Sequence, residues 1–175
     1  MRTAVVYKTK YGSTGVYAEY ITKALSADCF EAKKTTATEL QKYDNIVYGG
    51  GLYAEVINGV GLITKNTDKL SDKKIAIFTT GITPLDCREY YDNEVIEKNF
   101  KNGIPDNIKI FNFMGKMKLC ELTPVHRAAL VTLKKIMQSR KNPTDMEKLL
   151  IQLCDADGDF TNLCDADALI EYIKG

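Results

Sequence analysis

Four short runs rich in β-branched and aromatic residues, Thr3 to Tyr7, Asn45 to Tyr48, Lys74 to Thr79 and Ile108 to Phe113, recur along the chain with helix-length segments between them. That alternation implies a parallel sheet wrapped by helices, because strands separated by helices pair in parallel and bury both faces. A weaker fifth strand is expected over Cys29 to Lys33. The first helix is the clearest: Tyr17, Tyr20, Ile21, Ala24 and Leu25 fall on one stripe at helical spacing, while Glu19 and Lys23 lie off it. Asp86 to Lys101 reads as a charged surface helix that ends before Gly103 and Pro105. Beyond Phe113 the rhythm breaks into a loop, a helix around Val125 to Arg140, another after Pro143, and a last one from Asp165 to Ile173.

A chain of 175 residues, 45% of them hydrophobic, can bury one continuous core without disulfides or a structural metal. A single domain over residues 1–175 is therefore expected, with 114–175 forming a basic loop and helical extension. The 24 lysines and arginines nearly cancel the 23 aspartates and glutamates, so no overall field draws the chain to nucleic acid. Cys29, Cys87, Cys120, Cys154 and Cys164 are odd in number and lack a CxxC pair, which favours reduced, packing cysteines. The apolar run after Arg2 is too short for a signal peptide and none reaches membrane-spanning length, so a soluble, cytoplasmic protein is expected.

Chemistry first becomes legible after the first strand. Thr9-Lys10-Tyr11-Gly12-Ser13-Thr14-Gly15 feeds small hydroxyl residues and glycines straight into a helix N-terminus. A phosphate there can accept from unpaired backbone amides and from the Thr9, Ser13 and Thr14 hydroxyls, and the positive end of the helix dipole favours its charge. The same residues could merely cap the helix and turn the chain. The run lacks the GxxxxGK[ST] of a nucleoside triphosphate loop and the GxGxxG of a dinucleotide turn, which leaves a mononucleotide as the better match.

In these residues the sequence resembles the flavodoxin family, over roughly Met1 to Phe113, and in particular the bacterial flavodoxin-domain proteins that include the flavodoxin-like protoporphyrinogen oxidases. The resemblance implies a flavodoxin-like three-layer α/β/α fold with a five-stranded parallel sheet in the order 2-1-3-4-5. It also implies FMN as cofactor, its phosphate held by Thr9, Lys10, Tyr11, Gly12, Ser13 and Thr14 and its ring by two further loops. Those loops follow the third and fourth long strands: Gly51, Leu52, Tyr53 and Ala54 in the first, Thr80, Gly81 and Ile82 in the second. Gly51 to Glu55 is the expected redox-tuning loop, since glycines allow close backbone approach to a flat ring, and Tyr53 is the candidate stacking residue in a chain without tryptophan.

Other patterns point elsewhere and carry less. Gly49, Gly51 and Ala54 spell GxGxxA after a strand, but Asp68 and Asp72 precede the next strand instead of ending it, as a ribose-binding acid should. Asp155 to Asp159 resembles a calcium loop, yet with Gly158 at its sixth position Leu153 and Cys164 stand where carboxylates belong. His126, the sole histidine, supports no metal cluster and is assigned to surface or packing. Between Met114 and Pro143 the only acid is Glu121, against Lys116, Lys118, Arg127, Lys134, Lys135, Arg140 and Lys141. This basic amphipathic stretch either covers the sheet or meets an acidic partner or an anionic membrane surface; the resemblance to the protoporphyrinogen oxidases implies a porphyrin or a quinone there.

The expected function is FMN-dependent electron transfer with a redox partner protein or a small donor or acceptor, the flavin being the reactive group and no side chain acting catalytically. A protoporphyrinogen oxidase-like oxidoreductase and a flavin-free interaction module of the same fold are the alternatives.

Overall fold

A computed structural model describes the whole chain, Met1–Gly175. Five strands form its parallel sheet: β1 (Thr3–Lys8), β2 (Asp28–Glu31), β3 (Asn45–Tyr53), β5 (Lys74–Gly81) and β6 (Ile108–Met114), in the order β2-β1-β3-β5-β6. That is the order expected for five strands. The sheet nevertheless has six, because the short β4 (Val56–Ile57) folds back antiparallel on the end of β3. Its turn, Ala54-Glu55, lacks the Gly or Asn that normally marks a two-residue hairpin, so nothing in the sequence announced it.

Alternate residues of each strand enter opposite cores, as a pleated strand requires. Val5, Val47, Ala76, Phe78 and Phe113 face α1 (Ser13–Leu25) and the C-terminal α7 (Asp167–Lys174), which supply Tyr17, Ala18, Ile21, Leu169, Ile170 and Ile173. Ala4, Val6, Ile46, Tyr48, Ile75, Ile77 and Ile108 face the other layer. That layer holds α2 (Ala37–Leu40), α3 (Gly61–Thr64) and a helical segment that is π-wound over Tyr90–Val95 before continuing as α4 (Ile96–Asn99). The expected helix over Asp86 to Lys101 is thus shorter and wider-wound at its start.

The segment after Met114 leaves the sheet and returns to it. β7 (Lys116–Met117) pairs antiparallel with β8 (Gly158–Asp159) and forms a neck. Beyond the neck lie α5 (Pro124–Ser139), with Thr123 capping its first turn, and α6 (Asp145–Leu153), which starts on a Thr144–Glu147 capping box. These two helices pack on each other, joined by Lys134 to Asp155. The basic helix therefore does not cover the sheet; α7 does. On α5 only His126, Leu130, Lys134 and Met137 turn inward, leaving Val125, Val131, Leu133 and Ile136 largely exposed. No helix is long and apolar enough to cross a membrane.

Candidate functional site

The first loop lies at the carboxyl edge of the sheet, where the strand order reverses between β1 and β3. Gly12 makes its turn with φ +93°, in the left-handed region that L side chains rarely adopt. Its amide donates to Thr9 Oγ1 at 2.9 Å. Ser13 and Thr14, both buried, then open α1; their amides have no acceptor within the helix, whereas the Gly15 amide already donates to the Gly12 carbonyl at 3.0 Å.

The three hydroxyls read from the sequence are all engaged within the protein, and that engagement decides what they can offer. Thr9 Oγ1 accepts from Gly12, Ser13 Oγ accepts from the Lys116 amide at 3.0 Å, and Thr14 Oγ1 shares a 2.7 Å bond with Thr80 Oγ1. A hydroxyl that accepts still has its own proton to donate. One such proton remains on Thr9, one on Ser13, and one on whichever of Thr14 and Thr80 is the acceptor of the pair. The Lys116 Nζ lies 3.5 Å from the place a Cβ on Gly12 would occupy, adding a cation to the same loop. Donors and positive charge, with no carboxylate ion-paired to Lys116, fit a phosphate dianion. Lys116 is not among the candidate site residues that the sequence singles out; its only sequence signal is its place just past the end of the last parallel strand.

The two remaining loops meet at this edge. Gly51 is the register partner of Thr80 across β3 and β5, and Gly81 pairs with Met114 on β6. A Cβ on Gly81 would stand 3.5 Å from that of Leu52, and the half-buried Ile82 follows directly. Gly49 and Gly50 are buried beneath Phe78 and the β4 hairpin and Gly51 is buried beneath the Tyr53 ring, so the accessible part of this loop begins at Leu52.

At the hairpin tip Ala54 and Glu55 both adopt positive φ, 47° and 63°. Asn99 at the end of α4 holds them there: its Nδ2 donates to the carbonyls of Glu55 (2.6 Å) and Val95 (2.7 Å), and its Oδ1 accepts from the Ile57 amide (2.9 Å). Lys98 adds a 2.9 Å ion pair to the Glu55 carboxylate.

Tyr53 leans back over the strand, its hydroxyl 2.8 Å from where a Cβ on Gly51 would be. Its ring meets Tyr11 edge-on at 6.0 Å and His126 at 5.0 Å. Burial, with a smaller contribution from Tyr11, pushes the Tyr53 phenol up to about 12. His126 is therefore more than a surface residue. Its Nδ1 is 2.7 Å from the Tyr11 hydroxyl and its Nε2 is 3.4 Å from the Lys10 ammonium, bringing the insertion onto the first loop. More than a hundred residues separate these partners, a distance across which sequence patterns carry no signal. No group of three or more His, Cys, Asp or Glu side chains is placed to hold a metal.

A loop of small hydroxyl residues after the first strand, flanked at the same sheet edge by two glycine-containing loops, marks an open α/β domain with its candidate site at the topological switch point. Residues 4–147 match the family model for the flavodoxin domain, and the chain belongs to that family. Among solved structures it is similar to the WrbA-like flavodoxin from Agrobacterium tumefaciens, with 20% identity and a TM-score of 0.42 over 50% of this chain and 64% of that one. It therefore spans slightly less than two thirds of that protein. It is also similar to oxidised flavodoxin 1 from Bacillus cereus, with 13% identity and a TM-score of 0.43 over 89% and 95% of the two chains. A third similar structure is a Fusobacterium nucleatum flavodoxin mutant bound to flavin mononucleotide, with 18% identity and a TM-score of 0.39 over 65% and 69%. No curated protein matches the chain.

Proposed function

We propose that the protein binds one FMN at this edge and uses it to move electrons. The observation that carries the reading is the first loop: its hydroxyls are each fixed by an internal bond, a free proton remains on Thr9, on Ser13 and on one of Thr14 and Thr80, and Lys116 stands beside them. Such a pre-set group of donors anchors a phosphate without having to rearrange on binding. FMN, when bound, supplies the redox chemistry. The chain's own residues hold the phosphate at Thr9 to Thr14, flank the ring with Gly51 to Ala54 and Thr80 to Ile82, and limit water at the ring through Tyr53. All five cysteines are unpaired, which fits a reducing compartment such as the cytoplasm.

The test is titration of the flavin-free protein with FMN and, separately, with riboflavin, which lacks the phosphate. Quenching of flavin fluorescence is expected with both, much more tightly with FMN. Lys116→Gln should weaken FMN about ten- to a hundredfold, the scale of one charge-assisted bond, and leave riboflavin unchanged. Equal affinity for the two flavins would remove the phosphate-loop reading, and absence of binding to either would leave the flavin-free module.

A second reading concerns the outer face of α5, favoured by the exposure of Val125, Leu133 and Ile136 beside Lys135, Arg140 and Lys141. An apolar stripe with basic flanks fits an acidic redox partner or an anionic membrane surface. Cosedimentation with anionic vesicles, lost at high salt, distinguishes the membrane from the protein partner.

A further inference from the structure

The contact between the insertion and the first loop fixes a proton as well as a position. An ammonium can only donate, so Lys10 Nζ beside Nε2 of His126 calls for an unprotonated Nε2, and a neutral imidazole then carries its hydrogen on Nδ1. That Nδ1–H donates to Tyr11 Oη at 2.7 Å, and the Thr123 amide donates to the same oxygen at 3.3 Å. Having accepted twice, Tyr11 retains its own O–H, and no other group of the protein accepts it.

We infer that His126 is a positioning residue of the cofactor site: it orients the Tyr11 hydroxyl as a donor toward the bound group and so ties the α5 insertion to FMN retention. The inference rests on the FMN reading and deepens it.

The titratable groups facing the imidazole are Lys10 and Tyr11 from the first loop and Tyr53 from the hairpin. Arg127 on α5 turns its guanidinium away to the Leu119 carbonyl. No carboxylate lies within ion-pairing distance, and the imidazole sits in the first turn of α5, where the helix dipole disfavours positive charge. Burial, and after it the Lys10 ammonium, hold the imidazole below its ordinary value. A second proton, on Nε2, would end its role as acceptor and set two cations side by side. That proton leaves the Nδ1–H bond to Tyr11 in place and loosens the Lys10 contact alone, so acidification weakens the hold of the insertion on the first loop.

As the only histidine, His126 gives a single imidazole signal in long-range proton–nitrogen NMR of the flavin-free protein. The expected result is the Nδ1–H tautomer, titrating below the ordinary histidine range; the Nε2–H tautomer overturns the inference, and this readout depends on no variant. FMN affinities then test the consequence. His126→Ala and His126→Gln should each weaken FMN about three- to tenfold, the range of one hydrogen bond, while His126→Asn, whose amide reaches the Nδ1 place, restores most of it. Tyr11→Phe should weaken FMN similarly and make a further His126→Ala change silent. Wild-type affinity in His126→Ala, or additive effects of the two changes, defeats the inference while the FMN reading stands. Failure of the wild type to bind FMN defeats both.

Discussion

Two adjacent residues, Ala54 and Glu55, hold a conformation that costs an L-amino acid roughly 1–2 kcal/mol per position. They are kept there by the Asn99 and Lys98 contacts described above, and they stand beside Tyr53 at the site. Backbone strain of this kind clusters at functional sites, and a rigid turn beside the candidate site offers its peptide groups in one orientation. Ala54→Gly should remove the penalty and raise stability by up to about 1 kcal/mol in urea unfolding. The same change should loosen flavin binding, because the turn gains alternatives. His126 governs a second prediction at this scale. Its folded-state value lies below the ordinary 6.5, so the unfolded chain takes up the proton first as pH falls. Its contribution to stability is complete above the unfolded value and is lost progressively as pH drops through it toward the folded one. Urea midpoints measured between about pH 5 and 7 should slope downward toward acid, and His126→Asn should flatten that slope.

At the level of elements, Asn99 connects two parts of the site. One side chain satisfies two carbonyls and one amide, so Asn99→Ala should cost about 2–3 kcal/mol and speed hydrogen exchange at Ile57 before it affects the central strands. Neither this clamp nor the hairpin it holds was evident from the sequence, and the reason is physical. The parallel strands are legible because burial on both faces demands unbroken runs such as Ile46 to Tyr48 and Ile75 to Phe78. The first helix is legible because Tyr17, Ile21 and their neighbours form one stripe. Hairpin β4 and neck strands β7 and β8 are two residues each, too short to show any period. The first loop is readable as a candidate anion site from local composition alone. Lys116 and His126, which complete the arrangement around it, arrive through tertiary folding and leave no local trace.

For the whole molecule, the distribution of the two cores matters most. Neither includes a fully buried residue from positions 114–165; both draw on the strands up to Phe113, and one of them on α7. The insertion thus hangs on the neck, where Met117 is paired with Gly158 across the two strands. Replacing residues 118–157 by Asn-Gly, the pair best suited to a two-residue hairpin, should leave a protein that folds with native-like circular dichroism and one cooperative melt. If His126 serves the site as inferred, that shortened chain should retain riboflavin-level affinity better than it retains FMN affinity. The neck has a further consequence. The stretch from Arg140 to Pro143 between α5 and α6 is basic and exposed in its first residues, and a trypsin cut there severs no core contact. The larger piece would keep all six sheet strands, while the smaller would remain docked through Leu169, Ile170 and Ile173 of α7. Two separately produced fragments divided at this point should therefore find each other and, on the proposed FMN reading, regain flavin colour only on reassembly, the behaviour of a split reporter.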